Sequence, residues 1–459
     1  MSRIPTIPIS TDANFPVLRN SLLAHSEANK LRKANGLIFE PVPGCPCAYR
    51  ERCDYGTYIN DVLEDSEVYT SNPKRFDEAM KFLTNYRCKR FPLLVTDRDL
   101  LSFANGVLEL SSGIFTSYEV LSAGPHSPLS QKVARHHVPF EYTGSTETPL
   151  LDTVLNTQFS KEVADVLCAL FGRTLFPINS IDSWQVMPYL VGVGGTGKSL
   201  LFNVLQRFFA PGAVGNLAAK REEIFGMANL ADKEIVLGRD MPAKLSGSLP
   251  QEIMQAMTAG EGMEIPRKTT TAMQLTWTAP VVLASNHMPD YINTGNNIGR
   301  CIVPFRFDTV ITAPQDDLQN RILEGELPAI IARCIQCYGN LRVQVKAARS
   351  FWNAMPQSIL DWQRKLAAST NKLHEFLAME DDERVTHEKM QYNGSFSYKI
   401  TVVPGHVTWV SDFKAAFLNV TANELKDLDL SVLSSMGFNL DATNPRMASV
   451  AIPMIMVGG

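Results

Sequence analysis

Apolar positions recur along this chain at two periods, and the segments they mark predict different elements. Residues 150–176, LLDTVLNTQFSKEVADVLCALFGRTLF, carry apolar residues at helical spacing and then meet Pro177 and a polar loop. From there to Phe307, strand-like runs (MPYLV, EIVLG, APVVLAS, CIVPF) alternate with helical ones, the pattern of an α/β layer architecture. Earlier, LLVTDRDLLSFANGVLEL sets Asn-Gly between alternating apolar positions and predicts strands joined by a tight turn. Residues 318–338 and 351–379 read as helices. After Gly394, short β-like pieces (YKITVVPG, VTWV, SVAIPMIMV) surround helical segments and suggest a small mixed domain. Neither an internal repeat nor a low-complexity tract interrupts this pattern.

Composition bounds the picture without changing it. A chain of 459 residues exceeds one ordinary domain and predicts two to four. Its 45% hydrophobic and 20% charged content is that of a soluble globular protein. No uncharged apolar run reaches the ~18 residues of a membrane span. MSRIPTIPISTDANFP lacks the apolar core of a secretory signal. Eight cysteines without regular spacing suggest a reducing compartment, so an intracellular setting is expected. A net charge of −4 argues against a uniformly basic surface but leaves room for a local basic channel.

The chemistry concentrates at Gly192–Ser199, GVGGTGKS, a full match to G-x-x-x-x-G-K-[ST] with a strand-like run before it and a helical face after it. Glycines let backbone N–H groups turn toward phosphates, and the helix N-terminus adds a favourable dipole. The nucleotide-binding set is therefore Gly192, Val193, Gly194, Gly195, Thr196, Gly197, Lys198, Ser199 and Leu200. Lys198 would neutralise the β- and γ-phosphates of ATP, and the Ser199 hydroxyl would bind Mg²⁺. Such a site needs a second strand ending in an acid; KEIVLGRDMP offers Asp240 as the other metal ligand, with Glu234 and Glu252 as fallbacks. APVVLASNHMPD ends a third buried strand at Asn286, where an amide can reach a γ-phosphate or an attacking water. Between these, MEI and MQLTW flank the polar tip PRKTTT; Arg267 and Lys268 could grip a nucleic-acid backbone, or simply be a solvated basic loop. Arg300, just ahead of CIVPF, could reach the ATP of a neighbouring subunit, with Arg306 as the alternative.

With its parts in this order, the chain resembles superfamily 3 helicases of the vaccinia-type primase-helicase group found in large DNA viruses, phages and mobile elements. The resemblance covers roughly residues 86–340 and rests on GVGGTGKS, EIVLGRD, TAGEGMEIPRK, VVLASNHMP and GRCIVPF, with LSFANGVLELSSG resembling the opening of the domain ahead of the motor. It implies an AAA+ type P-loop core working as a homo-oligomer, a hexameric ring, that hydrolyses ATP between subunits. The ring would translocate on single-stranded or forked nucleic acid, with DNA expected and RNA the variant, alongside a separate primase or polymerase. Carried over by position, Lys198 and Ser199 hold phosphate and Mg²⁺, Asp240 is the Walker B acid, Asn286 the sensor, Lys268 the hairpin lysine and Arg300 the finger. Two positions depart from the group. Asp240 stands where Glu is frequent, and Gly299-Arg300 where arginines are often paired. An ATP-switched origin-binding or loading protein, and a packaging ATPase, are rival readings.

The expected organisation is an N-terminal region (1–85), a collar (86–180), the motor (181–340), a helical linker (341–394) and a C-terminal domain (395–459) in which VTWVSDFKAAFLN would open a winged helix. The stretch ahead of the glycine loop is expected to be too short for a primase, and Asp97 and Asp99 read as turn residues. Cys45, Cys47 and Cys53, with Cys88, His136 and His137 further on, match no common zinc module and read as free thiols; Cys334 and Cys337 read as helix packing. The acidic run 379–383 reads as a solvated linker.

Overall fold

A computed structural model describes residues 14–65, 73–123, 132–217, 227, 229–267, 270–289, 291, 299–312 and 317–370, and the backbone of six short strands between 385 and 457. The chain divides into two compact units, one reaching to Ser145 and including Phe208–Ala210, the other holding the remainder.

The first unit opens with α1 (Phe15–Ala28), β1 (Arg32–Ala34), β2 (Leu37–Pro41), β3 (Tyr49–Asp54), α2 (Tyr55–Asp65) and α3 (Pro73–Asn85). Asn14 starts α1 by accepting the Val17 N–H at 3.1 Å. Asn35 and Gly36, both at positive φ, turn β1 into β2. The strands pair antiparallel in the order β1-β2-β3, and the helices share a core that includes Leu18, Leu22, Tyr58, Ile59 and Leu83. Lys33 is buried in that core, yet its ammonium donates to the carbonyls of Leu83 and Tyr86 near the end of α3.

A second sheet, ordered β6-β5-β4-β7, follows from β4 (Asp97–Phe103), β5 (Gly106–Glu109), β6 (Ile114–Ser117), α4 (Tyr118–Ala123) and β7 (Ala134–Val138). The tight turn expected near Asn-Gly joins β4 to β5, with Phe103 opposite Gly106. Asp97 and Asp99 lie in β4 rather than in a turn. Asp97 pairs with Lys132 at 2.8 Å, and Asp99 accepts both the N–H and the hydroxyl of Ser111. Cys45 and Cys47 pack under this sheet, whereas Cys53 and Cys88 border the helical core, so the cysteines are divided between two cores.

The second unit begins with α5 (Pro149–Gln158) and α6 (Lys161–Arg173). The single helical pattern expected over 150–176 is thus broken: Phe159 is extended, and Ser160 occupies the cap position of α6. Next come β8 (Met187–Gly192), α7 (Lys198–Gln206), β9 (Val214–Leu217), β10 (Ile235–Met241), α8 (Gln251–Ala259), the hairpin β11 (Gly262–Arg267) and β12 (Thr270–Thr276), β13 (Val281–Ser285) and β14 (Ile302–Phe307). Five of these strands form one sheet in the order β14-β8-β13-β10-β9, and every pairing is parallel. Their near-continuous apolar runs follow from burial on both faces. Counting only these five, the order is 5-1-4-3-2, so the strand leading into the glycine loop lies inside the sheet, between two others.

Helices α9 (Leu318–Gly325), α10 (Leu327–Ala348) and α11 (Gln357–Thr370) complete the described helices. The stretch read as one helix over 318–338 is two, parted at Glu326, and the second runs on to Ala348. α10 crosses α6 at very short range: a Cβ added to Gly172 would lie 2.1 Å from the Cys334 carbonyl oxygen. The loop between α6 and β8 is pinned by a buried ion pair, with Arg173 donating to Asp182 at 2.9 Å and to the carbonyls of Trp184 and Val186. Beyond α11, β15 (Val385–Lys389), β16 (Ser395–Val402) and β20 (Met454–Val457) form one antiparallel sheet. β17 (Val407–Trp409), β18 (Asn439–Leu440) and β19 (Met447–Ser449) form another. The helix expected after VTWV and the acidic run 379–383 lie outside the described residues.

Candidate phosphate site

In a parallel sheet all strands end at one edge, and ligands gather outside the carboxyl ends. Register identifies what stands at that edge here. Val191 pairs with Ser285, and Met241 pairs with Ser285 from the other side. Gly192 at the end of β8, Asn286 just past β13 and Asp240 near the end of β10 therefore share one edge. Ser285 ties the strand ends together, donating its hydroxyl to the Met241 carbonyl at 2.7 Å and accepting the His287 N–H. Asn286 and Asp240 are both exposed.

The glycine loop needs its glycines. Gly192, Gly195 and Gly197 all have positive φ, and a Cβ on Gly192 would sit 2.2 Å from the Phe307 carbonyl oxygen. Gly197 caps α7, and the first-turn N–H groups of that helix have no partner within it. Thr196 is buried and donates to the Val193 carbonyl. Lys198, 7% exposed, curls back over the loop and donates to the carbonyls of Gly192 and Val193. Burial lowers its pKa from the ordinary 10.5, and the nearby Asp240 carboxylate works against that shift. Ser199 and Leu200 follow as the second and third residues of α7, with Ser199 exposed. A Cβ added at Gly194 would meet nothing within 4 Å, so space remains above the loop.

The interruption of the apolar run at Gly238-Arg239 has a packing cause. A side chain at Gly238 would meet Leu283 and Met241. Arg239 crosses to α7, donating to Asn203 and Gln206 at 2.6 Å and lying over the Phe202 ring. It fixes β10 against the helix that leaves the loop. Asp240 has φ +49, a left-handed conformation uncommon for a residue other than glycine. Of the fallback acids, Glu234 precedes β10 and so stands at the opposite edge, and Glu252 lies exposed on α8.

The two arginines occupy opposite edges. Arg306 pairs in register with Val191, beside the loop, and forms an ion pair with Asp308 at 3.1 Å. Arg300 precedes β14, where Ile302 pairs with Met187, and is therefore far from its own chain's glycine loop. The β11–β12 hairpin pairs from Gly262 with Thr276 to Arg267 with Thr270, and its register shifts at Pro266, which lacks an N–H. Arg267 ends β11; Lys268 lies outside the described residues.

One contributor carries no motif. Gln158, the last residue of α5, donates to the carbonyls of Thr196 and Thr309 and accepts the Thr309 N–H at 3.1 Å. It clips the glycine loop to the segment after β14, which also donates the Ile311 N–H to the Gly195 carbonyl. Only its position after LNT in an apolar helix is visible in the sequence, and that is no signal.

Comparison with known proteins adds two segment matches. Residues 190–300 match a family of unknown function (DUF5906), and residues 45–160 match a family described as D5 N terminal like. Both are characteristic of phage and viral primase-helicase proteins, which associates the chain with DNA replication. No curated protein matches. Among solved structures, the A form apo structure of the NrS-1 C terminal region is similar at 9% identity and TM-score 0.42, covering 93% of this chain and 98% of that one. The apo structure of the NrS-1 C terminal region (305-718) is similar at 11% identity and TM-score 0.43, covering 94% and 99%.

Proposed function

We propose that this chain is an ATP-driven helicase motor of AAA+ type, working on single-stranded or forked DNA during replication of a viral, phage or mobile genome. One observation carries the reading: the GVGGTGKS turn, Asp240 and Asn286 stand on adjacent strand ends at the carboxyl edge of a five-stranded parallel sheet ordered 5-1-4-3-2. The residues fit a nucleoside triphosphate. A Cβ would close the cradle at Gly192, and a buried ammonium and a helix N-terminus both border the phosphate position.

In this reading the loop N–H groups orient the triphosphate, and Lys198 leaves its loop carbonyls to neutralise the β- and γ-phosphates. Magnesium, held by Ser199 and Asp240, supplies further charge neutralisation. Asp240 and Asn286 orient a water whose oxygen attacks the γ-phosphorus as the bond to the β–γ bridging oxygen breaks. Arg300, at the far edge of the sheet, is the group suited to a neighbouring subunit's phosphates, whereas Arg306 is committed beside its own loop. Arg267 and Lys268 grip the nucleic-acid backbone from the hairpin.

The deciding measurement is strand separation of matched forked DNA and RNA with ATP, using Lys198→Ala as control. Unwinding of DNA that the substitution abolishes is expected. ATP hydrolysis without unwinding of either substrate would replace the motor by an ATP-switched loading protein.

A further inference from the structure

A groove bordering α10 carries cations that the phosphate site does not use. It has two adjoining stretches of about 460 and 470 Å³ that share Trp184 and Lys346. Arg342 lines the first, and Arg349, Trp352 and Arg300 line the second. Arg342, Lys346 and Arg349 are spaced i, i+4, i+7 along α10 and its C-cap, so they form one ladder. Among the described residues no carboxylate pairs with any of the three. The one acid lining the groove, Asp182, is already held by Arg173 and Tyr338. In a chain with net charge −4, this is a concentrated departure toward positive charge.

We infer that this groove is a second track for single-stranded nucleic acid. The inference rests on the replication reading above and adds a contact surface distinct from the hairpin. Charge complementarity selects a polyanion, and length selects a polymer: seven residues of helix rise about 10 Å, the reach of about three phosphates spaced roughly 3.4 Å along a strand. The tryptophans select bases over an acidic peptide. Trp184 is held in place by Tyr338 and Phe351, with ring centroids 5.8 and 5.2 Å away, so its ring is a pre-ordered stacking surface. Trp352 is fixed by Phe351 at 5.4 Å and by donation to the Arg300 carbonyl. Arg300 only closes one end of the groove, and its proposed role toward a neighbour's ATP is tested separately.

The test is binding of a fluorescein-labelled oligo-dT across a salt series, by anisotropy, for the full chain and for Lys346→Ala/Arg349→Ala. An unchanged melting curve verifies that the variant folds. Its affinity is expected to fall about tenfold or more, and the slope of log affinity against log salt to drop by about two, one per lost phosphate contact. Lys346→Arg/Arg349→Lys is expected to restore both. Tryptophan fluorescence is expected to quench on binding in the unaltered protein. Unchanged affinity in the double variant, with a loss in Lys268→Ala, overturns the groove and leaves the motor reading standing; the ladder then suits an acidic protein partner. No oligo-dT binding by the unaltered chain overturns both.

Discussion

Lys198 gives up most of its solvent to stand over the glycine loop, and the carbonyls of Gly192 and Val193 replace that water. Its charge is what a phosphate needs, so Lys198→Ala is expected to reduce ATP turnover at least about a hundredfold, read by phosphate release. The lowered pKa adds a pH signature. The protonated form binds phosphate, and protonation is lost as pH rises through a value below the ordinary 10.5. ATP affinity in the free protein is therefore expected to fall on an alkaline limb that starts earlier than for a solvated lysine. Lys198→Arg should carry that limb to higher pH; titrations of ATP binding across the range check it. An unmoved limb would assign it to another group.

At the scale of elements, α6 and α10 meet where residue 172 has no side chain. Gly172→Ala would push a methyl into the Cys334 carbonyl, and overpacking of this kind costs about 1–3 kcal/mol. A lower denaturant midpoint with an unchanged slope is the expected outcome. Much at this scale was legible in the chain. β8, β10, β13 and β14 are buried on both faces and read as apolar runs, and the glycine loop, Asp240 and Asn286 follow from them in order. β9 was not legible, because VGNL is four residues with Gly and Asn inside it and is held as a strand by pairing with β10. The break between α5 and α6 was hidden by Phe159, an apolar residue in phase with the helix whose ring packs on Phe305 and Phe307. Gln158 was silent because its partner Thr309 is 151 residues away. Local pattern reports burial and period; it does not report which distant carbonyl an amide will meet.

At the scale of the whole molecule, the opposite placement of Gly192 and Arg300 separates two halves of one proposed catalytic centre between copies of the chain. Lys198→Ala and Arg300→Ala are each expected to be inactive alone, and their mixture to regain part of the ATPase, since one supplies an intact arginine and the other an intact loop. A mixture as silent as its components would remove Arg300 from the reaction. Lys268→Ala is expected to keep ATP hydrolysis and lose its stimulation by DNA, together with unwinding. Gln158 joins these scales. It closes the C-terminal end of α5 on the glycine loop, while at the other end of the same helix the Glu326 carboxylate takes the N–H groups of Leu150 and Leu151 at 2.7 and 3.0 Å, one residue before α10 begins. α5 is thus a strut about 15 Å long, hinged on the fuel at one end and on α10 at the other. A loop that shifts when phosphate arrives cannot do so privately; it hauls on a rod whose far joint is the root of the longest described helix.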